Sequence, residues 1–261
     1  MNEFLIGLQF LTRISIVKQT IWTEESFGKS VKYFPLVGAV LGMCYAVPLF
    51  LFIYFTDVQI PIFTAALAFF LTVILTGGIH CDGLMDTADG LFSGRERDKM
   101  LEIMKDSRAG AFGVVSLVTV ATLEISAMAE LVKSSPVIFC MAIYAVPIIG
   151  RLAMVLAISI FPYARPEGIG KAFSKYATPK TFLIALIIAL LLLLPLYIIV
   201  NETAVVIAIS LLAAMIFALY FGRYATKKLG GLTGDIYGAV EMLAEVLVMI
   251  VFLFAEIFWI N

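Results

Sequence analysis

Apolar residues in this chain come in runs of about 20, broken by short polar loops, and 20 residues is the length a helix needs to cross roughly 30 Å of hydrocarbon. Seven segments reach that length: about 34 to 55, 60 to 79, 110 to 131, 136 to 161, 181 to 200, 203 to 222 and 237 to 260. The stretch from Phe4 to Val17 is too short. Its apolar Leu5, Leu8, Leu11 and Ile16 leave polar Gln9, Thr12 and Arg13 between them, which predicts an interfacial or re-entrant helix. The expected fold is all-α: a polytopic membrane helix bundle of about seven transmembrane helices plus that N-terminal helix, over residues 1–261 as a single domain.

Composition agrees with the pattern. Hydrophobic residues make up 62% of the chain and mean hydropathy is +1.05, well above the roughly 45–50% apolar content of soluble domains. A net charge of −1 gives no basic stripe, so no nucleic-acid partner is expected. Cys44, Cys81 and Cys140 are widely spaced and odd in number, which matches neither a zinc site nor a disulfide framework. The start, Met1 to Ile6, lacks the basic head and small-residue cleavage site of a leader, so the segment is expected to be retained. Of 18 Lys and Arg residues, 16 fall on alternate loops. Arg151 lies within a span, and Lys133 alone lies in the opposite loops. The positive-inside rule makes the basic side cytoplasmic and the membrane the cell membrane.

Candidate chemistry collects on that side. In the run from Gly77 to Gly90, Asp82, Asp86 and Asp89 sit at i, i+4 and i+7, within an arc of about 60° on a helix. Hard oxygen ligands in a stripe suit Mg²⁺, with Mn²⁺ as a substitute, and two ions could be held there. The plain alternative is a solvated acidic helix end. His80 adjoins the stripe as a candidate base. In the next loop Asp106 offers a further ligand or base, and Lys105 and Arg108 offer phosphate grips, against the alternative of a basic patch on anionic lipid. Arg165 leads a third loop. Gly234 and Asp235 close a Gly-rich turn, fitting an anion nest or a simple turn. Glu241 and Glu245, one turn apart in the last span, form a second acidic stripe, with Arg151 as a partner or as a further phosphate clamp. A buried pair that only orients helices fits as well.

The runs GGIHCDGLMDTADGLFSG and LEIMKDSRAGAFG closely resemble the signature of the cobalamin synthase family, the adenosylcobinamide-GDP ribazoletransferases. The likeness extends to FLTRIS, YFPLVGAVLG, PYARPEGIGKAF and GGLTGDIYGAVEMLAE, so it covers nearly the whole chain in order. Cys81 and Met85 depart from the residues common in the family, at positions that would not ligate. The resemblance implies a magnesium-dependent membrane enzyme that joins adenosylcobinamide-GDP to α-ribazole, or its 5′-phosphate, and releases GMP, the last assembly step of cobalamin. It implies corrinoid nucleotide and α-ribazole as substrates and the bilayer as surroundings. A homo-oligomer or a complex with other cobalamin-assembly enzymes stays open. Two other classes fit parts of the pattern: CDP-alcohol phosphotransferases or prenyltransferases, whose aspartate spacings differ, and ion-coupled transporters, for which no inverted repeat is present.

Overall fold

Proline and glycine set most of the helix ends. The structure, a computed structural model, describes residues 3–18, 23–56 and 60–260; Met1 and Asn2, part of the start expected to be retained, lie outside the described residues. The helices are α1 (Glu3–Leu11), α2 (Glu24–Lys29), α3 (Phe34–Thr56), α4 (Pro61–Thr76), α5 (Ile79–Phe92), α6 (Arg97–Ile103), α7 (Ala111–Ser134), α8 (Pro136–Ile160), α9 (Ile169–Tyr176), α10 (Pro179–Ile199), α11 (Thr203–Leu229) and α12 (Gly234–Ala255). A 3₁₀ turn (Ser30–Tyr33) leads into α3 and a π turn (Glu256–Ile260) follows α12. Pro61, Pro136 and Pro179 open α4, α8 and α10, where a missing N–H costs nothing.

Six helices are long and apolar enough to cross a membrane, α3, α7, α8, α10, α11 and α12, and the bent pair α4–α5 makes a seventh at most. The expected second span, 60 to 79, is where sequence and structure part. Gly77 and Gly78 both take positive φ (67° and 71°), so α4 stops after 16 residues and α5 leaves at 91°. Sixteen residues cover about 24 Å, and α5 lies outside the six spans. The N-terminal segment is the short helix expected of it: α1 packs Ile6, Leu8 and Leu11 into the core beside α3.

The bundle is built around α8. Of its most apolar stretch 94% is buried, against 22% for α10, so α8 faces protein and α10 faces lipid. The closest seam joins α3 to α8: a Cβ on Gly38 would overlap the Pro147 carbonyl, and one on Gly42 would lie 2.7 Å from the Tyr144 oxygen. Without a hydrophobic drive between helices in lipid, such small-residue contacts supply packing instead. At one end of the bundle the loops that carry most of the basic residues meet. Arg97 donates to the Leu229 oxygen at 2.8 Å and to the Ala164 oxygen at 3.1 Å. Ala164 N–H donates to Leu232 and Leu232 N–H to Pro162, each at 2.8 Å, which clips the loop after α8 to the loop before α12.

Candidate functional site

The bend after α4 turns α5 back against α12 and α7, and the aspartate stripe goes with it. Gly83 and Gly238 let the two helices touch: a Cβ on Gly83 would lie 2.7 Å from the Asp235 oxygen and 3.3 Å from the Gly238 Cα. This brings Asp235, in the first turn of α12, up to Asp82 and Asp86. Thr233 caps α12, accepting the Ile236 N–H at 3.3 Å and donating to Asp235 Oδ2 at 3.1 Å. The clipped loop holds Arg165 opposite, its Nη2 2.9 Å from the same Asp235 oxygen. Buried Nε and Nη2 of Arg165 have no well-formed hydrogen bond, so this pair is one of charge and proximity.

Three hollows meet at Asp82. The main cavity, about 290 Å³, is lined by His80, Asp82, Arg165, Gly234 and Asp235, with an aromatic and aliphatic wall of Phe10, Phe173, Tyr163, Tyr237, Met154 and Ile158. A second cleft, about 520 Å³, runs between α1 and the α4–α5 turn and is lined by Gln9, Thr12, Arg13, Gly77, Gly78 and Asp82. The third, about 290 Å³, is lined by Asp82, Asp86, Lys105, Asp106 and Ser107. Asp82 is exposed to all three. Burial, then the Asp82 and Asp235 charges, pushes the Asp86 carboxyl up to about 7, with Arg165 opposing.

The three stripe aspartates do not share one task. Asp89 Oδ2 accepts the Gly110 N–H at 2.7 Å and Oδ1 accepts the Gly113 N–H at 2.8 Å, so both oxygens satisfy the open start of α7. Asp89 is thus engaged with the start of α7, while Asp82 and Asp86 line the third hollow, with Asp235 nearby. Among the described residues no three His, Cys, Asp or Glu side chains gather closely enough to hold a metal ion by themselves.

The other expected residues divide between the hollows and the core. Lys105 reaches the third cleft. Arg108 does not stand free: it grips Asp106 with Nε at 3.0 Å and Nη2 at 2.6 Å, and this holds the Asp106 carboxyl down at about 2. A carboxylate held that low is a poor proton acceptor. His80 lines the main cavity, but burial, then the Arg151 guanidinium, lowers its pKa, so it too is a weak base, and its Nε2 faces Arg151 and Glu241. Arg151, Glu241 and Glu245 line none of the three hollows. Arg151 Nη1 lies 2.8 Å from Glu241 and 3.1 Å from Glu245, all three buried, and its Nη2 lies 3.4 Å from His80 Nε2. The helix-orienting ion pair weighed from the sequence is what forms, and it backs the site through His80. Arg13, Tyr163 and Thr233 join the site without having stood out among the candidates; their runs, FLTRIS, PYARPEG and GGLTGD, were the only signal.

The cobalamin-5-phosphate synthase family matches residues 3–253. Among curated proteins the chain is 40% identical to an adenosylcobinamide-GDP ribazoletransferase of Desulfitobacterium hafniense, over 96% of both chains. It is 35% identical to the protein of that name from Fusobacterium nucleatum over 100% of both. It is 36% identical to the one from Clostridium acetobutylicum, over 92% of this chain and 90% of the other. No solved structure matches. With the aspartate helix, the clipped loops and the ion pair on the page, and agreement running from end to end, the chain belongs to the cobalamin-5-phosphate synthase family.

Proposed function

We propose that this membrane enzyme joins adenosylcobinamide-GDP to α-ribazole, or its 5′-phosphate, giving adenosylcobalamin, or its 5′-phosphate, and GMP. The observation that carries the reading is the meeting of three hollows at one carboxylate, Asp82. Such a junction admits two reactants and a leaving group at once. The ribazole hydroxyl attacks the phosphorus on the cobinamide side of the pyrophosphate, the bond to the GMP phosphate breaks, and the hydroxyl proton leaves to solvent. The apolar, aromatic wall of the main cavity suits the flat base of α-ribazole. Arg165 and Lys105 orient phosphate oxygens from two sides.

Mg²⁺, with Mn²⁺ as a substitute, fits the oxygen donor set of Asp82 and Asp86, which line one hollow together with Lys105. Bound there, a divalent cation would offset charge on the pyrophosphate. The site faces the cytoplasm of the cell membrane, which is supported by the gathering of basic loops at the same end of the bundle and by the solubility of both substrates.

The test is purified protein in vesicles, given adenosylcobinamide-GDP, α-ribazole and Mg²⁺ and followed by mass analysis. Corrinoid product and GMP should appear in equal amounts, vanish with chelator and return with Mg²⁺. Net flux of substrate into vesicles without covalent product would favour a transporter instead. Asp89→Ala serves as an internal check on the ligand set. It is expected to cost about 1–2 kcal/mol of stability, read as a lower melting temperature in detergent. The Mg²⁺ concentration for half-maximal rate should stay put; a tenfold rise would return Asp89 to the ligands.

A further inference from the structure

The second cleft holds a cation, Arg13, that meets no carboxylate among the described residues. Arg13 follows α1 by two residues, and its backbone N–H donates to the Leu75 oxygen at 2.7 Å, tying this segment to the end of α4. Thr12 fixes the bend from the other side, donating to the Leu8 oxygen at 2.6 Å and accepting the Ile14 N–H at 3.1 Å. The Arg13 side chain then lies across the Gly77 turn. A Cβ on Gly77 would overlap Nε and come within 2.7 Å of Cζ and Nη2. Gly77 is thus needed for its positive φ, and a side chain there would in addition push the Arg13 guanidinium from its place.

Arg97, Arg108, Arg151 and Arg165 each face a carboxylate, and Arg95 and Arg223, which do not among the described residues, line none of the three hollows. Arg13 has no such partner among the described residues, yet it lines the same cleft as Asp82. A guanidinium with no carboxylate partner among the described residues, beside a carboxylate suited to a cation, is an arrangement for an anion that brings its own cation, which describes a magnesium-bound phosphate ester. The main cavity already answers Arg165 with Asp235 and has an apolar wall, while the second cleft is larger, with Gln9, Thr12 and Thr76 on its walls.

We propose that Arg13 grips the guanosine-side phosphate of the corrinoid nucleotide in this cleft, and that Gly77 is its positioning residue. The assignment rests on the ribazoletransferase reading and adds where the leaving group lies. As the pyrophosphate bond breaks, charge grows on that phosphate, and a preset fork of N–H donors offsets it. A lipid headgroup presents the same phosphate chemistry, so the test separates the two sources.

Wild type, Arg13→Ala, Arg13→Lys, Gly77→Ala and Gly94→Ala are reconstituted in vesicles of phosphatidylcholine alone and of phosphatidylcholine with phosphatidylglycerol, and GMP release is followed with Mg²⁺ present. Arg13→Ala should raise KM for adenosylcobinamide-GDP on the order of tenfold to a hundredfold, leave KM for α-ribazole unchanged, and weaken inhibition by added GMP to match, in both vesicle types. Arg13→Lys should recover part of the loss, keeping charge without the fork. Gly77→Ala should follow Arg13→Ala. Gly94→Ala should not, since Gly94 has a similar φ of 66° but nothing within 4 Å of an added Cβ. An unchanged KM in Arg13→Ala overturns the assignment while leaving the enzyme's function standing. A defect confined to vesicles with phosphatidylglycerol overturns it in favour of a lipid contact. Equal losses in Gly77→Ala and Gly94→Ala overturn the positioning role. Wild type that releases no GMP overturns the functional reading itself, and the assignment with it.

Discussion

Asp82→Ala, inserted and folded as wild type, is expected to release GMP at least roughly a hundredfold to a thousandfold more slowly. The size follows from position: this one carboxylate borders all three hollows, so its loss removes an oxygen that every bound group would face. The intact fold follows from how little else it does. Among the described residues the Asp82 carboxylate pairs with no cation and accepts no hydrogen bond, whereas Asp89, two turns on, takes two. Stability should therefore hold within about 0.5 kcal/mol of wild type, read as a melting temperature little changed in detergent. Turnover undiminished in the purified variant would remove Asp82 from the chemistry.

Arg151→Met should do the reverse and break the fold. Arg151 is 1% exposed and serves Glu241 at 2.8 Å and Glu245 at 3.1 Å, with Glu124 buried nearby beside the same small cavity as Glu245. Removing the cation leaves carboxylates in an apolar interior, a change worth about 3–5 kcal/mol. Loss of a monodisperse peak in detergent and a lowered unfolding midpoint would report it. The triple variant Arg151→Met, Glu241→Gln, Glu245→Gln should regain much of the stability, because it removes the charges together. A single variant as stable as wild type would mean that the glutamates are already neutral or matched by another group.

Much of this was readable from the residues. Spans declare themselves by length and apolarity, so α3, α7 and α8 begin and end within three residues of expectation. α11 runs seven residues past its expected end, because its last two turns carry Arg223, Lys227 and Lys228, which hydropathy excludes though a helix tolerates them. The bend at Gly77 and Gly78 was hidden: two glycines mark a turn as readily as a flexible spot, and only packing against α12 decides the angle. Periodicity placed the aspartates on one stripe correctly. It could not show that Asp89 would meet the bare N–H groups of α7, which lie 21 and 24 residues on. Asp106 and Arg108 read as two separate tools from spacing, yet two residues apart in a loop they satisfy each other. Asp235 was visible only as part of a glycine-rich string, and its nearness to Asp82 depends on Gly83 and Gly238 allowing backbone contact.

The ion pair in the core also has a history in the order of synthesis. Ninety-four residues separate Arg151 from Glu245, so the ribosome delivers the guanidinium to the membrane well before its counter-charges exist. An arginine at the middle of a lone span costs about 2.5–3.5 kcal/mol to insert. The remainder of α8 must offset that cost, and its mostly apolar residues, with no second charge on either side of Arg151, are what make insertion of the naked cation tolerable. The α12 helix then arrives as a latch: its two glutamates close the bundle onto a charge that has waited since the third of the six long helices was made.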